Sequence, residues 1–346
     1  MSLQNKFNTF NQRIYLTRHD SEYSNAREKD DSITAAIKAK FKEKGYPVID
    51  NFVQGSLATY TTIKEPGKDF DIDRAIVIDY EDSPSDPLVP KKVILEILED
   101  RGFQNAKIKK PCVTADYKFK NLHIDIPVYR KNSWGGYELA VGKKDSGTEH
   151  KSWSESSPKE LIDWVNNSSL YGVYATEKLH QFRRLVRYLK RWRNIKFSKD
   201  VCRKIYSIGL TVMVKQHFKP SIDEDGFPND LLALKATIDS ILDWSGYFQW
   251  HSDDQWKVKV ELPVYPSRDI FHGSSLNTGT RFRNQLTNLR STLQDVIDTS
   301  DETEQCSLLI KVFGDDFPSN ANTNSASNTQ KVQFATAGAV GTSQGA

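Results

Sequence analysis

Residues 55–73 read GSLATYTTIKEPGKDFDID, and the chain continues as RAIVIDY to residue 80. The β-branched run Ile76, Val77 and Ile78 predicts a strand that suits a sheet interior, beginning at Phe70. Asp71 and Asp73 are two apart on it, so both carboxylates project from one face. Two acids held that close repel unless a cation lies between them, and hard oxygen donors at this spacing suit Mg²⁺ or Mn²⁺. Asp125, in HIDIPVY on a second predicted strand, supplies a third carboxylate and would complete a site for two metals. Asp69 shares the spacing but precedes the strand proper, and ranks below the other acids.

Gly55 and Ser56 follow a predicted strand, PVIDNFVQ, and open a short helix. Glycine lets the backbone approach a neighbour closely, while a serine hydroxyl and free amides offer donors to phosphate oxygens. A Gly-Ser pair alone reads equally as an ordinary turn, and for DFDIDRAIVI an edge strand with a solvated acidic face is the minor alternative. The combination is specific: the turn, an Asp-x-Asp fifteen residues after Ser56, then a third strand aspartate. His123 is read as a structural histidine and Cys202 as a small buried thiol. Tyr60, Trp192 and Tyr206 are aromatic enough to stack a base, and nothing in the sequence selects among them.

Working outward, DDSITAAIKAKFKEKG places Ile33, Ile37 and Phe41 at helical spacing before the stop Gly45, and the first 45 residues read as helix. A turn-rich loop, DSPSDPLVP, precedes the helix VPKKVILEILEDRG. Strands are predicted at CVTADYKFK and LHIDIPVYR, hinged at Asn121. Residues 1–150 are therefore expected to form an α+β lobe braced by an N-terminal helix. The Gly/Ser/Lys-rich stretch WGGYELAVGKKDSGTEHKSW leads into a helical lobe over 151–317. There Leu179, Phe182, Leu185, Val186, Leu189 and Trp192 form one apolar helix face. Residues 318–346 are rich in Asn, Ser, Thr, Ala and Gly, with one charge, Lys331, and read as a flexible tail.

The 38% of hydrophobic residues excludes a disordered chain. Three scattered cysteines, Cys112, Cys202 and Cys306, support neither a disulfide framework nor a metal clip, which points to a reducing cytoplasm. The chain has no apolar run of membrane-spanning length and no signal peptide, so a soluble cytoplasmic protein is expected. A net charge of +3 is too small for a nucleic-acid coat. Local clustering is stronger, with ten Lys or Arg against Asp200 in residues 183–204. Arg183, Arg187 and Lys190 align as a cationic stripe able to attract a triphosphate into a cleft between the lobes.

Taken together, GSLATYT, the DID strand and HIDIPV resemble the nucleotidyltransferase superfamily of DNA polymerase β, oligoadenylate synthases and cGAS. Within it the sequence is similar to the bacterial cGAS/DncV-like nucleotidyltransferases, the CD-NTases. LVRYLKRW, YSIGLTVMV and LLIKVFGDDF extend the resemblance over residues 30–317. It implies a bilobal polymerase-β-like fold, catalytic metal ligands Asp71, Asp73 and Asp125, and nucleotide contacts from Gly55, Ser56, Lys190 and Ser207. It also implies Mg²⁺-dependent synthesis of a cyclic di- or trinucleotide from nucleoside triphosphates, ATP or GTP among them, as a messenger in antiphage (CBASS) defence. Some relatives are ligated through their C-terminus by ubiquitin-activating-like E1/E2 enzymes, and the small-residue end Gln344-Gly345-Ala346 is similar to such a substrate. The alternatives are a non-cyclising enzyme that makes linear oligonucleotides or modifies RNA or protein, and a catalytically silent nucleotide sensor. Arg74 departs from the family pattern by interrupting the apolar run, and Thr59-Tyr60 stand where a small or basic pair is common.

Overall fold

The computed structural model describes residues 2–17, 20–64, 70–117 and 122–319. Asp69, the hinge at Asn121 and the tail from residue 320 lie outside the described residues. Two compact units emerge: one is Tyr15–Asn167 with Glu261–Arg268, the other comprises the chain to Ile14, Ser168–Val260 and the chain from Asp269. The predicted single helical start is two helices, α1 (Leu3–Ile14) and α2 (Ser21–Glu43), and α1 belongs to the second unit.

The first unit is built on an eight-stranded mixed sheet. Its central strand, β2 (Phe70–Asp79), is flanked on one edge by β1 (Val48–Val53), antiparallel, with the short helix α3 (Gly55–Ala58) between them in sequence. After α4 (Leu88–Asp100) come β3 (Gln104–Ile108), β4 (Val113–Tyr117), β5 (Leu122–Ile126) and β6 (Val128–Lys131). Both β5 and β6 pair parallel to β2, along its first and second halves. Pro127 separates them because it lacks an amide proton, while its carbonyl still accepts from Ile76 N at 3.0 Å.

Alternation along β2 divides the unit's chemistry. Ile72, Ile76 and Ile78 pack with Ile33, Ile37 and Phe41 of α2 and with Ile94 and Leu98 of α4. Ala75 and Val77 join Tyr129 and Leu139 on the opposite face. Arg74 falls on the helix-covered face and is closed by Asp30 of α2, with Nε donating to Oδ2 at 2.9 Å and an Nη donor on the same carboxylate. The break in the apolar run is thus a buried ion pair fastening α2 to the sheet. The Gly/Ser/Lys-rich stretch contributes β7 (Tyr137–Val141) and the first two residues of β8 (Ser152–Ser156), which extend the sheet beyond β6. Lysine and glycine there occupy the connection, while Leu139 and Ala140 are buried.

In the second unit α6 (Ala175–Lys196) follows α5 (Pro158–Asn166), the last helix of the sheet unit. Phe182, Leu185, Val186, Leu189 and Trp192 of α6 are fully buried, as the periodicity predicts, with Leu179 partly so. Buried Trp192 packs on Phe197 and Phe282, which removes it as a base-stacking surface. Phe7 and Phe10 of α1 join Tyr188, Phe313 and Phe317 in an aromatic cluster with centroid separations of 4.9 to 6.4 Å. The short α7 (Lys199–Cys202) leads to α8 (Ser207–His217), α9 (Asp230–Asp243), α10 (Leu276–Asp298) and α11 (Glu302–Phe313). A hairpin of β9 (Phe248–Ser252) and β10 (Gln255–Val258) interrupts the expected run of helices.

Candidate active site

Parallel pairing of β2 with β5 puts Asp71 beside His123 and Asp73 beside Asp125. Antiparallel pairing of β5 with β4 then puts Asp116 beside His123 and Thr114 beside Asp125. Because i and i+2 share a face, these six side chains form two rows of three across adjacent strands. Ligand atoms of Asp71, His123 and Asp125 all lie within 4.8 Å of one another. The carboxylates of Asp71 and Asp125 at that separation fit a hard divalent cation, and the added carboxylate of Asp73 in the next position fits a second.

His123 is the member that sequence reasoning set aside. It is buried and fully engaged, with Nδ1 2.5 Å from Asp116 Oδ1 and Nε2 2.9 Å from Thr114 Oγ1. Nε2 also lies 3.4 Å from Asp125 Oδ1. Burial by itself lowers the His123 pKa, but the hydrogen bond and charge of Asp125, the charge of Asp71 and the hydrogen bond to Asp116 outweigh it and raise it. Burial likewise raises Asp125, yet His123, the charge of Lys109 and the Thr114 hydroxyl hold it well below the usual carboxylate range. Asp125 is therefore held as a carboxylate. The signal for His123 was present in the sequence: it stands two residues before Asp125, just as Asp71 stands two before Asp73.

Gly55 backs directly onto this face. Its φ is +65°, and a Cβ placed there would lie 2.1 Å from Asp73 Oδ2. Glycine is required both by the left-handed backbone and by the space. Gln54 N donates to Asp73 O at 2.9 Å, which fixes the turn to the strand. Ser56 Oγ shares a hydrogen bond with Thr62 Oγ1 at 3.0 Å, and Thr59 Oγ1 donates to the Gly55 and Ser56 carbonyls at 3.2 and 3.3 Å. Thr59, the departure noted in the motif, thus ties the turn together. Tyr60 follows at φ +59° and is exposed.

The remaining predicted residues lie in the helical unit. Ser207 opens α8 and accepts from Arg193 Nη1 at 2.9 Å, a donor that also reaches Ile205 O at 2.8 Å. With its oxygen occupied by a cation, the hydroxyl proton of Ser207 points to another acceptor. Lys190 is buried, as is Arg187, whose Nε donates to Asn11 Oδ1 at 2.8 Å. The cationic stripe is therefore not a solvated helix face. Arg184 is spent on Asp230, at 2.7 and 2.8 Å, and Arg191 lies 3.2 Å from Asp316.

The site is thus a mixed sheet whose central strand presents two aspartates beside a third on its parallel neighbour, with a glycine turn at their backs. Residues 1–168 match the family model of the Second Messenger Oligonucleotide or Dinucleotide Synthetase domain, SMODS. The chain is similar to the cyclic GMP-AMP synthase of Escherichia albertii, with 29% identity over 251 residues, 69% of this chain and 52% of that protein. It thus spans about half the length of this curated relative. The fold resembles Bradyrhizobium diazoefficiens CdnG in complex with GTP, with TM-score 0.68, 15% identity, and 91% and 96% of the two chains covered. It also resembles the apo form of Vibrio cholerae DncV, with TM-score 0.67, 16% identity, and 90% and 95% covered. The structure of Escherichia coli MS115-1 CdnC, in its complex with HORMA-deltaN, matches at TM-score 0.65 and 16% identity, covering 91% and 98%. Among the described residues no helix is long and apolar enough to cross a membrane.

Proposed function

We propose that this chain is a metal-dependent nucleotidyltransferase that links nucleoside triphosphates into a cyclic di- or trinucleotide second messenger. The observation that supports it most is the pairing of Asp71 and Asp73 with His123 and Asp125 across two parallel strands. Asp71, Asp73 and Asp125 would hold Mg²⁺ or Mn²⁺. Such ions, when bound, neutralise triphosphate charge and ease deprotonation of an attacking hydroxyl.

The chain's own residues do the rest. His123 and Thr114 orient Asp125, and the Gly55-Ser56 turn presents amide donors beside Asp73 for phosphate oxygens. Lys190 and Ser207 are assigned to the triphosphate, the latter with its hydroxyl aimed by Arg193. The oxygen of a ribose hydroxyl bonds to the α-phosphorus of a second nucleotide as the bond to pyrophosphate breaks, and the hydroxyl proton passes to solvent. A second such step within the linear intermediate closes the ring. In line with the family resemblance, the product would signal in antiphage (CBASS) defence.

The deciding experiment incubates the protein with four labelled nucleoside triphosphates and Mg²⁺ and treats the product with phosphatase. A phosphatase-resistant product that disappears in Asp71→Asn/Asp73→Asn supports cyclic synthesis. A phosphatase-sensitive product means linear transfer. Label incorporation that survives in the folded double variant removes these carboxylates from the reaction.

A further inference from the structure

Three groups converge on a single oxygen of Asp125. His123 Nε2 and Cys112 Sγ each lie 3.4 Å from Oδ1, and Lys109 Nζ lies 3.5 Å from it. Lys109 is the unusual one. Its side chain is 10% exposed, and among the described residues its ammonium makes no hydrogen bond, only the ion pair with Asp125. A buried ammonium without acceptors is costly unless an opposite charge compensates it, and the charge it faces is Asp125.

The backbone behind Lys109 is held unusually well. Lys109 sits in the turn between β3 and β4, where its N donates to Cys112 O at 2.9 Å. Lys91 of α4, fully buried, sends its ammonium into this turn, 2.7 Å from Lys109 O and 3.0 Å from Lys110 O. It also reaches Gly142 O at 2.8 Å and Ala140 O at 3.3 Å. One lysine thus anchors the turn, and the next one carries its charge to the carboxylate site.

Resting on the metal-site reading above, we propose that Lys109, which shares an Asp125 oxygen with His123, is a resident counter-cation of Asp125, and that it sets the site's affinity for divalent metal by competing for that carboxylate. Its ammonium neutralises Asp125 before an ion arrives. A divalent ion reaching Asp125 must then displace that charge or bind beside it. Two ligands that exclude or repel each other at one site weaken each other reciprocally.

The test is Mn²⁺ binding followed by calorimetry and electron paramagnetic resonance on the full chain, without nucleotide. Lys109→Met, which keeps an apolar side chain and removes the charge, is expected to bind Mn²⁺ on the order of tenfold more tightly. In EDTA its Tm should fall below that of the wild type, and Mn²⁺ should raise it by more than it raises the wild type. Lys109→Arg, which retains the charge, should stay within about twofold of the wild-type affinity, and Lys109→Met should gain little in an Asp125→Asn background. Unchanged or weaker Mn²⁺ binding by folded Lys109→Met overturns the proposal. Asp71→Asn separates the two levels: if it binds Mn²⁺ like the wild type, the carboxylate face is not a metal site and both readings fall. If it loses Mn²⁺ while Lys109→Met behaves as wild type, only the role of Lys109 falls.

Discussion

Gly55 leaves no room for a methyl group between itself and Asp73: a Cβ on it would come 2.1 Å from the Asp73 Oδ2 atom. The turn proposed to offer phosphate donors and the strand proposed to offer metal ligands are therefore a single packed object. A change in one displaces the other.

Gly55→Ala should consequently damage chemistry more than fold. The turn backbone at φ +65° is strained by any Cβ, and the clash pushes Asp73 from its place. A ligand shift of about an ångström is enough for a loss of nucleotide transfer on the order of 100-fold. Circular dichroism should remain that of the wild type. Activity within a few-fold of wild type would show that the Asp73 position is not critical.

Replacing both Asp71 and Asp73 by Asn is expected to abolish transfer without unfolding the protein. The substitution removes metal ligands but also relieves carboxylate repulsion, so the metal-free Tm should hold or rise slightly. Thermal denaturation in EDTA, beside the labelled-nucleotide assay, reads both halves of this expectation.

The Arg74–Asp30 pair calls for the opposite pattern. Asp30 is buried and the Arg74 side chain is 11% exposed, on the strand face turned away from the acids. Removing one partner strands the other's charge, so Asp30→Ala should cost roughly 3 to 5 kcal/mol of stability. Arg74→Met/Asp30→Leu, which removes both charges, should recover much of that in urea unfolding. Equal losses in the single and double variants would contradict a buried-charge origin.

Phosphate recognition in the helical unit is testable through its hydrogen bonds. Lys190→Ala should raise the apparent KM of every accepted nucleotide by a similar factor, corresponding to about 1.5 to 3 kcal/mol for a charge-assisted contact. Arg193→Met should act in the same direction by releasing the Ser207 hydroxyl. A change in which base is accepted would instead place these residues on the nucleobase.

Much of the site was legible because alternation in a strand is a local property. The spacing of Asp71 and Asp73 put both on one face, and Ile72, Ile76 and Ile78 on the other marked which side the core takes. Helical spacing likewise marked the buried face of α6, since burial of an amphipathic stripe needs no knowledge of its partner. Where composition was the only guide, as in the Gly/Ser/Lys-rich stretch that holds β7 and the start of β8, two strands went unseen. They pair with each other and with β6.

What the sequence determined alone was therefore the set of carboxylates, the glycine turn and the family resemblance they carry. Tertiary structure decided how they meet. Strand register aligns residues about fifty positions apart, setting Asp73 beside Asp125 and Asp71 beside His123. Only that register turns His123 from a bystander into a member of the acidic face. Only the fold carries Lys109, through a turn anchored by Lys91, to within 3.5 Å of Asp125. Side-chain alternation follows from each strand's own geometry, whereas register and counter-charge arise from pairings between distant segments, which no local pattern encodes.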